Sequence, residues 1–223
     1  MFILNFTAMS IKKPKYKCII FDCDGVLVDS EAIGNQVLVD MANGLGANID
    51  LDYALTHFKG GSMNSGIEKI SKLISEPMPA NFEAQYREQS FENFKKHIQP
   101  IEGVVNIIKQ LNLPFCVASS GPESKIRLNL EHTGLLPYFE GNIFSCYTIQ
   151  KWKPDPAIYL WAAKTMGFKP EECAVIEDSL PGVTAAKAGG FPVLGYAAHD
   201  FNNELEGNAD VVFQDMKDLE HLL

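Results

Sequence analysis

Asp22 and Asp24 stand one residue apart, directly after the apolar run Tyr16–Phe21 and just before Gly25. In an open parallel sheet, ligands bind beyond the carboxyl ends of the strands, and this pair sits at such an end. As structure the pair is costly: its like charges repel, and one acid would serve a turn equally well. An Asx-turn with a helix cap is the plain alternative. A second apolar run, Phe115–Ala118, leads into Ser119-Ser120-Gly121. Small hydroxyl residues with backbone N–H groups, entering a helix N-terminus, suit a phosphate or another anion. Lys153 precedes Pro154-Asp155-Pro156. Prolines fix its backbone, and a lysine held in this way can place a point charge on a phosphate. A solvated loop lysine would look the same. Glu177 and Asp178 follow the run Cys173–Ile176. Facing Asp22 and Asp24 across neighbouring strand ends, they would put up to four carboxylates in one crevice. That cluster repels itself without a cation. Carboxylate oxygens select hard cations, and Mg²⁺ is held by one or two carboxylates plus waters and substrate phosphate.

Five short apolar runs must supply those strand ends: Tyr16–Phe21, Phe115–Ala118, Cys173–Ile176, Phe191–Leu194 and Val211–Phe213. They are continuous rather than alternating, as in parallel strands covered on both faces. Helix-length segments lie between them: Pro122–His132, Pro156–Met166 after Asp155, and Pro181–Ala188 after Ser179. Each has proline near its start, and Gly167 and Gly189 follow the last two. This alternation predicts a doubly wound, mainly parallel α/β sheet. From Ser30 to about Gln99 the rhythm breaks. Glu31–Leu45, Ile67–Ile74 and Phe82–His97 read as helices, and no strand is evident. Phe82, Tyr86, Phe91 and Phe94 are spaced as a core face rather than a base-stacking platform. Residues 30–102 are therefore expected to form a small helical domain, and residues 1–29 with 103–223 the α/β core.

The chain has 223 residues, 19 basic and 28 acidic, for a formal charge of −9. No lysine/arginine block is longer than Lys12-Lys13, so a general nucleic-acid partner is not expected. No apolar run reaches the roughly 18 residues that cross a bilayer. Cys18, Cys23, Cys116, Cys146 and Cys173 are scattered without a CxxC pair. The odd count at irregular spacing argues against disulfides and a zinc site, and Cys18, Cys116 and Cys173, in apolar runs, read as buried thiols in a reducing cytoplasm. Residues 1–15 carry their positive charges after the apolar patch, the wrong order for a secretory signal. They read as a loosely ordered extension, with Met9 a second candidate start.

Taken in order, DxDGV, SSG, KPDP and EDS resemble the four motifs of the haloacid dehalogenase-like superfamily. The helical insertion is similar to the cap of its β-phosphoglucomutase and phosphoglycolate-phosphatase branch. FDCDGVLVDSE, SSGPESK and IQKWKPDPA resemble sugar-phosphate phosphatases of that branch, those acting on 6-phosphogluconate in particular. The resemblance implies that Asp22 is the nucleophile and forms an aspartyl-phosphate, and that Asp24 is the general acid and then base. It implies that Ser119, with Ser120 and Gly121, and Lys153 bind the phosphoryl group. Mg²⁺ would be held by Asp22, the Asp24 carbonyl and Asp178, with Glu177 a further ligand or, as favoured, one contact behind. Mutases of the branch carry a histidine four residues past the DS pair, where this chain has Gly34. They carry an arginine after a KGVS-like stretch, where this chain has Lys59-Gly60-Gly61-Ser62 and then Met63. Both departures favour hydrolysis of a monophosphate over a mutase, which stays open with a non-catalytic binding protein on the same fold. Lys59, Gly60 and Ser62 are expected to face the substrate; an ordinary glycine-rich turn is the alternative. Closure of the cap would hinge near Ser30–Gly34 and Gln99–Gly103. The expected partner is a small phosphorylated metabolite, and a monomer is the default for this size.

Overall fold

The structure is a computed structural model and describes residues 15–58, 62–200 and 202–223. The expected N-terminal extension therefore lies outside the described residues but for Lys15. In chain order the elements are β1 (Cys18–Phe21), α1 (Glu31–Gly44), α2 (Leu51–His57), α3 (Met63–Ser71) and α4 (Phe82–His97). Then come α5 (Val104–Gln110), β2 (Phe115–Ser119), α6 (Glu123–His132), α7 (Leu136–Phe139), β3 (Ile143–Ser145) and α8 (Cys146–Ile149). The chain ends with α9 (Ala157–Met166), β4 (Cys173–Glu177), α10 (Leu180–Ala188), β5 (Val193–Tyr196), β6 (Val211–Phe213) and α11 (Leu219–Leu222).

The strands form one parallel sheet in the order β3-β2-β1-β4-β5-β6. Successive side chains of a strand point to opposite faces. On one face Ile19, Phe21, Val117, Ile176 and Leu194 enter one core. On the other, Cys18, Ile20, Cys116, Val175 and Val193 enter a second, closed by Ile158, Tyr159 and Ala162 of α9. Two cores demand apolar residues at every strand position, which is why the runs are continuous. All five cysteines are buried and free. Among the described residues no helix is long and apolar enough to cross a membrane.

Two details depart from expectation. The fourth run pairs as Val193–Tyr196, not Phe191–Leu194. Pro192 has no N–H to donate, so its carbonyl only receives Val175 N–H, and the ladder starts beyond it. The edge strand β3 was not foreseen.

The chain leaves β1 and returns through two extended segments that lie side by side. Asp29 N–H donates to Gln99 O at 2.9 Å and Ile101 N–H to Leu27 O at 3.1 Å. Between them, Leu38, Ala42, Ile70 and Phe82 of α1, α3 and α4 share an apolar cluster of their own. Phe94 of α4 instead packs into the first core of the sheet.

Candidate active site

The sheet order changes direction at β1, which has β2 on one side and β4 on the other. Crevices open at such a switch point, beyond the carboxyl ends of the strands. Because all three strands are parallel, Asp22, Ser119 and Glu177-Asp178 emerge at one edge. Asp22 N–H donates to Ile176 O at 2.9 Å, so the two acidic strand ends are pinned together.

Lys153 joins them from the loop before α9. Its Nζ donates to Asp22 Oδ1 and to Glu177 Oε1, each at 2.6 Å. Glu177 is fully buried and is the hub of the arrangement. Its Oε1 also accepts Tyr159 Oη at 2.8 Å. Its Oε2 accepts Asp178 N–H, Ser179 N–H and Ser179 Oγ, each at 2.9 Å. A Cβ at residue 182 would fall on the Glu177 carboxylate, so Gly182 leaves its space. Both Glu177 oxygens are therefore engaged by donors.

Asp22, Glu177 and Asp178 each offer one oxygen within 4.8 Å of the others. The Asp24 carboxylate lies outside this trio and accepts Lys125 Nζ at 2.8 Å and the Ser30 hydroxyl. Gly25 turns the chain between Asp24 and the helical insertion at φ +79°, and a Cβ there would collide with the Asp178 carboxylate. Only glycine fits both the left-handed conformation and the close approach.

The electrostatics follow from burial. Burial holds the Asp22 carboxyl well above the usual range, and Glu177, Asp178 and Asp24 push the same way against Lys153. Burial also pushes Glu177 up, yet Lys153 and its hydrogen bonds win and hold it low. Asp24 goes the same way: Lys125 and Ser30 outweigh burial and hold it low. Four carboxylates thus meet two ammonium groups, Lys153 and Lys125. The oxygen-only donor set fits a divalent hard cation.

The remaining expected residues are placed as follows. Ser119 is buried and its Oγ accepts Gly121 N–H at 3.0 Å, so that N–H is already used. Ser120 Oγ is buried without a hydrogen-bond partner. Ser119, Ser120 and Gly121 all line the cavity beside Asp22, Asp24 and Lys153, a space of about 170 Å³. Ser62 lines it too, while its Oγ caps α3 by accepting Ser65 N–H at 3.2 Å. Lys59 and Gly60 lie outside the described residues. Trp152 packs edge-on to Tyr147, with ring centroids 5.2 Å apart, and belongs to the second core.

Among the lining residues that escaped the sequence reading are Lys125 of α6, Arg87 of α4 and Tyr147 of α8. For Lys125 a signal existed, since SSGPESK places it one turn into a helix that starts at the site. Arg87 and Tyr147 carried none, because each reaches the cavity only through tertiary packing.

A doubly wound α/β protein with buried carboxylates and a lysine at its switch point offers oxygen ligands for a cation beside a cationic side chain. The model of the haloacid dehalogenase-like hydrolase family matches residues 16–190. A 6-phosphogluconate phosphatase of Escherichia coli (strain K12) is 33% identical over 193 residues, covering 86% of this chain and 87% of that protein. A haloacid dehalogenase-like protein of unknown function from Agrobacterium tumefaciens str. C58 superposes with a TM-score of 0.82. It is 29% identical and covers 93% of this chain and 97% of its own. A HAD family hydrolase from Deinococcus radiodurans R1, solved with bound phosphate and sodium, has a TM-score of 0.76 at 26% identity. That match covers 94% of this chain and 96% of the other. The chain belongs to the haloacid dehalogenase-like hydrolases, and it is a hydrolase of the phosphatase kind.

Proposed function

We propose that the protein is a Mg²⁺-dependent phosphatase of small phosphorylated metabolites, a sugar or sugar-acid phosphate, working through an aspartyl-phosphate in a reducing cytoplasm. The observation that carries this reading is Lys153 Nζ held 2.6 Å from both Asp22 and Glu177, beside Asp178, on the cavity floor. Asp22 and Asp178, with the Asp24 carbonyl, would hold the ion. Glu177, whose oxygens are filled, stands one contact behind and orients Lys153. Bound there, Mg²⁺ neutralises charge on the equatorial phosphoryl oxygens.

Asp22 attacks phosphorus, the ester P–O bond breaks, and the leaving alkoxide takes a proton from Asp24. Water then attacks the aspartyl-phosphate, gives its proton to Asp24 and frees inorganic phosphate. Lys125 and Ser30 hold Asp24 ionised, the form that activates water; its acid role requires the substrate to loosen that pair. Residues 30–102 act as a cap over the core of residues 1–29 and 103–223, since α1, α3 and α4 wall the cavity above the strand ends.

Gly34 argues against a mutase. A Cβ there would lie 3.1 Å from Tyr86 Oη and 3.5 Å from Phe94 Cζ, so a histidine would have to displace the Tyr86 hydroxyl. The test is hydrolysis of p-nitrophenyl phosphate with and without Mg²⁺. Turnover should need the metal and vanish in Asp22→Asn. Metal-independent turnover, or full activity in that variant, would overturn the reading. Glucose 1-phosphate plus a hexose bisphosphate should give free phosphate and no rearranged sugar phosphate.

A further inference from the structure

We infer that Arg87 and Tyr147 form a distal subsite that receives a carboxylate, which places the substrate among phosphorylated sugar acids. The inference rests on the phosphatase reading and adds to it the group that recognises the far end of the substrate.

Arg87 sits on α4, in the helical insertion; Tyr147 sits on α8, immediately after the edge strand β3. Arg87 Nε donates to Glu83 Oε1 at 3.1 Å, and Nη2 donates to Glu83 and, at 2.7 Å, to Tyr147 Oη. The guanidinium also lies 5.1 Å from the centre of the Tyr147 ring. Tyr147 is itself held: its N–H donates to Ser145 Oγ at 3.2 Å and its ring abuts Trp152. The fork is thus oriented from both sides before any substrate arrives.

Two donors are left over. Among the described residues, Nη1 of Arg87 has no partner. The Tyr147 hydroxyl accepts from Arg87, so its own proton remains to be donated. Both residues line the cavity that ends at Asp22 and Lys153. Two adjacent donors, one of them cationic, call for an acceptor with two oxygens in a plane. A carboxylate meets both, one oxygen on Nη1 and the other on the Tyr147 hydroxyl, and the bond to Nη1 is charge-assisted. A single sugar hydroxyl would satisfy one donor and leave the other unpaired. The inner end of the cavity already holds its own anions and cations, so this acceptor belongs to the opposite end of the substrate. Because one donor comes from the insertion and the other from α8, next to the sheet, the same carboxylate would also bridge the two parts of the site.

The test compares 6-phosphogluconate with glucitol 6-phosphate, which carries CH₂OH in place of the carboxylate. Wild type should prefer the acid in kcat/KM. In Arg87→Met the ratio of the two kcat/KM values should fall by about 10- to 100-fold, the worth of a charged hydrogen bond. Arg87→Lys, which keeps the charge and loses the fork, should recover part of it. Tyr147→Phe, which removes one hydroxyl, should lower the ratio by a smaller factor. An unchanged ratio in both Arg87→Met and Tyr147→Phe would overturn the inference. So would a loss that falls on fructose 1,6-bisphosphate instead of the sugar acid, which would make the distal group a second phosphate. Failure of wild type to hydrolyse p-nitrophenyl phosphate with Mg²⁺ would instead sink the phosphatase reading beneath it.

Discussion

Replacing Glu177 by glutamine tests whether this carboxylate is a hub of hydrogen bonds or a direct ligand of the metal. The substitution keeps the shape and changes one oxygen into an NH₂ group. Every neighbour of Glu177 that reaches it is a donor: Lys153 and Tyr159 on one oxygen, Asp178 N–H, Ser179 N–H and Ser179 Oγ on the other. Whichever way the amide turns, a donor faces donors. The milder choice presents NH₂ to Lys153 and Tyr159. That loses a charged bond, about 1.5–3 kcal/mol, and a neutral one, about 1 kcal/mol, in a site without water to compensate. Lys153 keeps Asp22 at 2.6 Å, which limits the damage. Breaking a buried pair from one side generally costs about 3–5 kcal/mol, in line with that sum. For a chain of this size each kcal/mol moves Tm by about 2–4 °C, so the melting point should fall by roughly 6–20 °C. The measurement is thermal and urea unfolding in EDTA, with no divalent ion present. A variant as stable as wild type in EDTA, and destabilised only when Mg²⁺ is added to both, would make Glu177 a direct ligand and refute the argument.

Three further outcomes are expected. Gly34→His should overpack against Tyr86 and Phe94 and cost about 1–3 kcal/mol in urea unfolding, without conferring mutase activity; undiminished stability would show that the cavity has room there. Lys125→Met removes the cation 2.8 Å from Asp24 and should lower kcat by at least about tenfold, with Lys125→Arg restoring part of it; an unaltered rate would make Lys125 a bystander. Inorganic phosphate should raise Tm only when Mg²⁺ is also present, since ligand binding to the folded state stabilises by mass action; an equal shift with phosphate alone would show that the carboxylates do not need the ion to admit an anion.

Asp22, Asp24, Ser119, Glu177 and Asp178 were legible as neighbours for one reason. They end apolar runs, and parallel strands in one sheet end at one edge, so each run carries its terminal residue to the same place. Lys153 was legible because proline follows it before a helix start. Helices α1 and α4 were legible from spacing, but α2 was not, since seven residues with one buried side chain leave no periodic stripe. Strand β3 is three residues long and sits at the sheet edge, below the length at which a pattern can be read. Lys125, Arg87 and Tyr147 lie on helices, and which way a helical side chain points depends on packing that no local window records. The four-carboxylate crevice was half legible. All four acids were identified, but the separation of Asp24 from the other three depends on Lys125, which spacing alone did not link to it.

That separation resolves a conflict in the charge of the molecule. A chain with a formal charge of −9 is a poor general receptor for phosphate esters. Within the site, however, the acids are sorted into different tasks by what they touch. Glu177 is spent on Lys153 and Tyr159, and Asp24 on Lys125 and Ser30, so these two carry their own compensation. Asp22 shares its cation with Glu177, and burial among like charges raises its carboxyl. Asp22 and Asp178 each offer an oxygen within one ion's reach of the other. In the proposed phosphatase, a divalent cation there would offset the charge of the cluster, and a phosphoryl group would then meet oriented donors instead of net negative charge. The global charge therefore bears on partners such as nucleic acid, while the field that a substrate meets is set within the cavity, by the groups that each acid touches.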